Sequence, residues 1–358
     1  MPSLDALGWS SFFAQQVTDT DRAAWSPARV VWEGRDLYRI SGGDADWHAS
    51  LAGRLRHVAG SRADLPAVGD WVLAAVRPAE GTATIHRVLD RKSCFTRTAA
   101  GRSTEVQIVA ANIDTVLIVT SCNLDFNLRR LERYLALAWE SGATPVVVLN
   151  KSDLHAGEPD RTYAEIASVA QGVPVAITSA VRGDGLAELS EIVRSSGTTA
   201  LLGSSGVGKS TLINALIGES RQDVLPVRDS DDRGRHSTTA RQMFCLPAGG
   251  ILIDTPGMRE LQLWDADEGL DQTFADIGSL AAACRFRDCS HETEPGCAVV
   301  AAAERGELHP ARLESYQRLR REDAFLQSRH DERAQSERTR IARQGSKAAK
   351  QFYKLRRR

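Results

Sequence analysis

The run GSSGVGKST, Gly203 to Thr211, constrains this chain more than any other stretch. It follows the apolar residues TALL and opens the helical pattern STLINALIG. It matches G-x-x-x-x-G-K-[ST] at Gly203, Gly208, Lys209 and Ser210, in the strand, loop and helix setting the pattern needs. Glycines let a backbone wrap closely around phosphate oxygens, and N–H groups at the start of a helix hold their charge. Gly203, Ser204, Ser205, Gly206, Val207, Gly208, Lys209, Ser210 and Thr211 are therefore expected to cradle a polyphosphate. Lys209 is expected on the terminal phosphates and the Ser210 hydroxyl on Mg²⁺. The bland alternative, a glycine-rich turn without a ligand, is outweighed by the full pattern in context.

A second motif, NKSD at Asn150 to Asp153, follows the strand-like PVVVL. The Asp153 carboxylate can accept from guanine N1–H and the 2-amino group, Asn150 can serve the opposite edge, and the Lys151 stem can cover the ring. Adenine lacks the 2-amino group and presents an acceptor at N1, so a site built on Asp153 rejects it. Four letters alone are a weak signal. TSA at Thr178 to Ala180, ending the next apolar run, strengthens it and makes Ser179 and Ala180 candidate base contacts.

The base-reading motif precedes the phosphate loop, the reverse of the usual order. Function depends on where loops meet in space, and in a doubly wound sheet they all lie along one rim. The order here predicts a circular permutation. A third motif, ILIDTPG at Ile251 to Gly257, supplies Asp254 for Mg²⁺ through water and the Gly257 N–H for a γ-phosphate.

After that glycine, where many GTPases carry a water-orienting glutamine, this chain has Met258, which cannot orient water. The segment DRGRHSTTAR offers His236, and Thr238 or Thr239 could supply the hydroxyl that binds Mg²⁺. From the residues alone, His236 fits a catalytic group and a solvated loop histidine equally well.

Around these motifs, apolar runs alternate with helical stretches from about residue 105 to 264, which predicts a parallel sheet covered on both faces. From 25 to 104 the pattern is short β-rich runs (ARVVWEG, LYRIS, HASLAGRLR, DWVLAAV, ATIHRVL) between turn residues, as in a small barrel. Five strands suit an OB-fold, with an SH3-like barrel as the alternative. Residues 1–24 form an extension without a motif.

Residues 265–335 hold CRFRDCSHETEPGC and then helical sequence. Cys284, Cys289, His291 and Cys297 make a three-thiolate, one-imidazole set that fits a closed, structural Zn²⁺ site. The alternative is three reduced core cysteines beside a surface histidine, but the polar spacers do not look like core. The whole is read as α/β, with a barrel before a permuted P-loop domain and a zinc-binding helical domain after it.

Lysine plus arginine number 45 against 46 acidic residues, so net charge names no partner. The tail 336–358 does: from Arg338 onward it carries nine basic side chains and no acidic one, which suits RNA or simply a solvated terminus. No apolar run approaches the roughly 18 residues that span a bilayer, and the N-terminal stretch does not read as a secretory signal. A cytoplasmic protein without a membrane partner is expected.

Together VGDWV, NKSD, GSSGVGKST, GRHSTT, DTPGMRE and FRDCSHETEPGCAV resemble the ribosome small subunit-dependent GTPase A family, from about Trp25 to Arg320. The resemblance implies GTP hydrolysis to GDP stimulated by the 30S ribosomal subunit and a role in late subunit maturation. It also implies 16S rRNA contacts through the barrel and zinc domain, and a catalytic part for His236. The family's run of threonines after that histidine begins here with Ser237. A monomer off the ribosome is expected. The competing expectations are a nucleotide-gated scaffold with incidental hydrolysis, and an ATPase or kinase with an accidental NKSD.

Overall fold

The computed structural model describes residues 3–34, 37–98, 106–122, 126–154, 159–218, 241–254 and 266–328. They divide into two compact units, Met1–Gln262 with Asp271–Thr273, and Leu263–Leu270 with Phe274–Arg358.

In the first unit, the extension forms two short helices, α1 (Ser11–Ala14) and α2 (Asp19–Ala24), the second closed by a Thr18–Asp21 capping box. It belongs to the fold. Trp9 and Phe13 stack on each other and both meet Trp71, at 4.7 and 5.7 Å between ring centres.

The barrel comprises β1 (Ser26–Glu33), β2 (Tyr38–Ser41), β3 (Asp46–Leu51), β4 (Trp71–Arg77) and β5 (Thr82–Val88). Its neighbours run β1-β2-β3-β5-β4, and a β1–β4 pairing closes the ring. The pair β3–β5 is parallel while the other barrel pairs are antiparallel. A simple meander contains no parallel pair, so this path is the Greek key of an OB-fold. The stretch HASLAGRLR, expected as one strand, divides: β3 ends at Leu51 and α3 (Gly53–Val58) follows, with Leu55 packed on the barrel core.

Arg29, buried on β1, ties three segments together. Its guanidinium donates to the Leu7 carbonyl, to Gly69 O at 3.1 Å and to Asn112 O at 3.0 Å. Burial pulls its pKa down to about 10.

A hairpin of β6 (Cys94–Thr98) and β7 (Val106–Ala111) leads into the α/β part. There β8 (Thr115–Ser121), α4 (Leu128–Glu140), β9 (Thr144–Asn150), α5 (Pro159–Val169), β10 (Val175–Ile177), α6 (Leu186–Ser195), β11 (Thr198–Leu202), α7 (Lys209–Ile217), β12 (Arg241–Cys245) and β13 (Ile251–Asp254) follow in turn. The sheet order is β10-β9-β8-β11-β13-β12, parallel except for β12. Strands earlier in the chain than β11 lie on one side of it and later strands on the other. The carboxyl end of β11 is therefore a topological switch point, where α/β folds bind ligands.

Strand β12 also pairs with β1 of the barrel, Trp32 opposite Gln242 and Glu33 opposite Arg241, so one sheet of 11 strands runs through the unit. Arg241 Nη1 adds an ion pair to Glu33 at 3.0 Å.

The second unit contains α9 (Ala275–Ala281) and α10 (Ala298–Glu304), preceded by α8 (Asp267–Thr273), and a helix over 310–328. Arg312 grips Asp276 with two bonds, at 2.6 and 2.8 Å, and lies over the Phe274 ring. Among the described residues no helix is long and apolar enough to cross a membrane.

Candidate nucleotide and metal sites

Because β8, β9, β11 and β13 are parallel, the loops after them open on one rim. Apolar packing sets the frame: Leu212, Ile213, Leu216 and Ile217 of α7 bury against Leu117, Val119, Val146, Val148, Leu201 and Leu252 of the strands. The phosphate loop thus has a rigid platform on one side.

Gly203 and Gly208 are required by this geometry. A Cβ at Gly203, φ +157°, would sit 2.4 Å from Val119 O. At Gly208, φ +98°, a Cβ would meet Asn150 Nδ2 at 2.4 Å. Gly208 is also the N-cap of α7 and offers no side-chain acceptor, which leaves the first N–H groups of the helix to a ligand. Lys209 Nζ donates to the carbonyls of Gly203 at 2.6 Å and Ser204 at 2.7 Å, folded over its own loop. Ser210 and Thr211 lie in the first turn of α7, and Ser205 at the turn of the loop.

The NKSD segment meets this loop directly. Asn150 ends β9, and its Nδ2 donates to Val207 O at 2.9 Å. Lys151, in the left-handed region at φ +61°, reaches Gly206 O with Nζ at 2.5 Å. The oxygen of Asn150 accepts from Thr178 Oγ1 at 3.2 Å and from the Ala180 N–H at 3.3 Å.

Asp153 accepts from Ser179 Oγ at 2.6 Å, and Ser179 Oγ accepts from the Arg182 N–H at 3.2 Å. The Ser179 hydroxyl holds the Asp153 carboxyl below its ordinary pKa, so it stays a charged acceptor. Beyond the base contacts expected of Ser179 and Ala180, Thr178 and Ser179 act on the NKSD motif through their hydroxyls. The signal available was the residue type, since hydroxyls at the end of a strand reach neighbouring loops.

Asp254 ends β13 on the same rim. Burial raises its pKa, opposed by the charge of Lys209. A half-buried carboxylate facing a lysine suits a divalent cation with phosphate. His236, Thr238, Gly257 and Met258 lie outside the described residues.

In the second unit, the ligand atoms of Cys284, Cys289, His291 and Cys297 all lie within 4.8 Å of one another and could hold a metal ion. His291 Nδ1 is 3.6 Å from Cys284 Sγ and 3.4 Å from Cys297 Sγ, and the two sulfurs are 3.9 Å apart. His291 is buried and left-handed, at φ +60°. Its carbonyl accepts from Gln317 Nε2. Glu294 shapes the intervening loop, accepting from the N–H groups of Ser290 at 2.7 Å, Glu292 at 3.0 Å and Thr293 at 3.1 Å, and from the Ser290 hydroxyl. Those bonds, the Ser290 hydroxyl foremost, hold its pKa down to about 2.

A P-loop sheet whose base-side strands precede the phosphate-loop strand, with an OB barrel before it and a Cys/His cluster after it, is the architecture of a circularly permuted GTPase. The RsgA GTPase family model matches residues 88–264. A relative from Opitutus terrae, named small ribosomal subunit biogenesis GTPase RsgA, is 47% identical over 97% of this chain and 97% of its own length. One of the same name from Streptomyces coelicolor is 43% identical over 94% of this chain and 90% of its own. This chain belongs to the RsgA GTPase family, and its reaction is the hydrolysis of GTP. Among solved structures, YjeQ from Thermotoga maritima superposes with a TM-score of 0.63 at 28% identity, covering 82% of this chain and 97% of that one. YloQ, described as a circularly permuted GTPase, shares the fold with a TM-score of 0.58 at 24% identity, covering 85% of this chain and 96% of that one.

Proposed function

We propose that this protein binds the 30S ribosomal subunit, assists its late maturation, and hydrolyses GTP to GDP and phosphate faster when bound there. The observation that carries the GTP half is the pair of bonds from Asn150 to Val207 and from Lys151 to Gly206, which put a base loop and a phosphate loop around one space. The ribosomal half is supported by the names of relatives that match nearly the whole chain.

Asp153, held by Ser179, reads guanine N1–H and the 2-amino group, with Asn150, Lys151 and the Ala180 segment framing the base. Residues Gly203 to Gly208 and the amides opening α7 hold the phosphates, and Lys209 leaves its carbonyls for the terminal phosphates. Ser210, Asp254 and the Thr238 hydroxyl would hold Mg²⁺, which would supply charge to offset that developing on the phosphates. The Gly257 N–H contacts the γ-phosphate, and His236 orients the attacking water in place of the glutamine that Met258 replaces.

The metal of the second unit is Zn²⁺ in a structural role. Bonds of about 2.3 Å to sulfur and about 2.0 Å to nitrogen place tetrahedral ligand pairs roughly 3.5–3.8 Å apart, near the separations of His291, Cys284 and Cys297 given above. No open position remains for chemistry.

The working division is an extension (1–24), an OB-fold (25–104) and a zinc domain (265–335) contacting 16S rRNA, a GTPase domain (105–264), and a basic tail (336–358). The protein acts in the cytoplasm as a monomer off the ribosome. Turnover of GTP with and without purified 30S subunits tests this: a rise with 30S and none with 50S is expected, and equal rates would remove the ribosomal reading.

A further inference from the structure

Between the ligands Cys284 and Cys289 the chain exposes Phe286, 41% accessible, with Arg285, Arg287 and Asp288 beside it, all exposed. The Arg285 guanidinium lies over the ring at 5.4 Å from its centre. Among the described residues Arg285 is the ring's only aromatic or cationic partner, and neither Arg285 nor Arg287 has an ion pair. Phe286 is one of three phenylalanines exposed among the described residues, with Phe12 and Phe325, and it is the one with an arginine on each side in the sequence.

We propose that Phe286 is a stacking platform for an unpaired RNA base, with Arg285 and Arg287 binding the flanking phosphates. An aromatic face accepts any base, and neighbouring arginines supply the salt-dependent attraction to the backbone. The loop suits the task because it is ordered before the ligand arrives. Cys284 and Cys289 close it at both ends, and the Arg285 N–H donates to Gly296 O at 3.3 Å. Little conformational freedom is then lost on binding. Charge complementarity favours a nucleic acid over an apolar protein surface, since Arg285 and Arg287 outnumber Asp288 in the loop. The choice of RNA rests on the ribosomal reading above; the stacking role does not.

The test uses the full-length, zinc-loaded protein and a labelled oligouridylate, with binding followed by fluorescence anisotropy. Phe286→Ala is expected to weaken binding about tenfold, equivalent to about 1.4 kcal/mol, with unchanged zinc content. Phe286→Trp is expected to restore it. Arg285→Ala and Arg287→Ala should each lower affinity and flatten its salt dependence. Equal binding by the parent and Phe286→Ala, with losses only in the arginine variants, would mean the loop reads charge alone and would overturn the proposal. Duplex RNA bound as tightly as the single strand would overturn it too, since paired bases cannot reach the ring. So would no binding by the parent. Should 30S subunits fail to stimulate GTP turnover while oligouridylate binding still depends on Phe286, the ribosomal reading falls and this one stands.

Discussion

Asn150 Nδ2 donates to Val207 O at 2.9 Å, joining a base loop to a phosphate loop 57 positions further along the chain. The bond is buried, and Gly208 next to it admits no side chain. The two loops therefore form one structural unit before any nucleotide arrives. Permuting the chain leaves this unit intact, because it depends on strand adjacency within the sheet and not on chain order.

Gly208→Ala tests that closeness. The added methyl would lie 2.4 Å from Asn150 Nδ2 at a backbone φ of +98°, so the loops must part. GTP affinity should fall by roughly a hundredfold or more, about 3 kcal/mol, and the strained backbone should also lower the thermal midpoint of the apo protein. Calorimetric titration reads the first and differential scanning the second.

At the base, Asp153→Asn should exchange guanine preference for xanthine, as seen in competition between GTP and XTP. Ser179→Ala removes the bond that holds Asp153 in place and ionised. A loss of about 1 kcal/mol predicts a KM for GTP raised roughly fivefold at unchanged kcat.

His236→Ala should abolish the 30S-stimulated turnover while leaving GTP affinity nearly unchanged. Rapid-quench and equilibrium binding on the same preparation separate the two effects. Loss of affinity alone would make this histidine a binding residue.

The metal site predicts a positional effect for Glu294, which gathers three backbone N–H groups and a hydroxyl between Cys289 and Cys297. Glu294→Ala should cost about tenfold to a hundredfold in zinc affinity, measured by competition with a chromophoric chelator. Full chelation should cut helical content, since metal binding in such small clusters is coupled to folding.

Arg29→Met should destabilise the first unit by roughly 2–5 kcal/mol, because the buried carbonyls of Leu7 and Asn112 lose a donor together, while Gly69 O keeps the bond from Asn112 Nδ2 at 3.1 Å. The midpoint of urea unfolding should drop accordingly. A normal midpoint would mean that these carbonyls find other partners.

What could be read from the residues in order were the sites whose chemistry is local. A phosphate loop needs consecutive N–H groups, and nine contiguous residues supply them. The base motif is a four-residue run, and the cluster that could hold a metal is four side chains within fourteen positions. Strands β1, β2, β4 and β5 were visible because alternation and turn residues are short-range signals. The same short range hid the end of β3 at Leu51, where Ala52 and Leu55 serve a helical turn as well as a strand.

Only the tertiary structure decided what joins what. That Trp9 and Phe13 pack on Trp71, that Arg29 binds three separate segments, and that β12 carries the α/β sheet into the barrel through Gln242 and Trp32 are pairings between distant positions. Hydrogen bonding and apolar burial between such positions depend on strand order and on which faces are covered. Those are properties of the whole packed unit, and no window of neighbouring residues contains them.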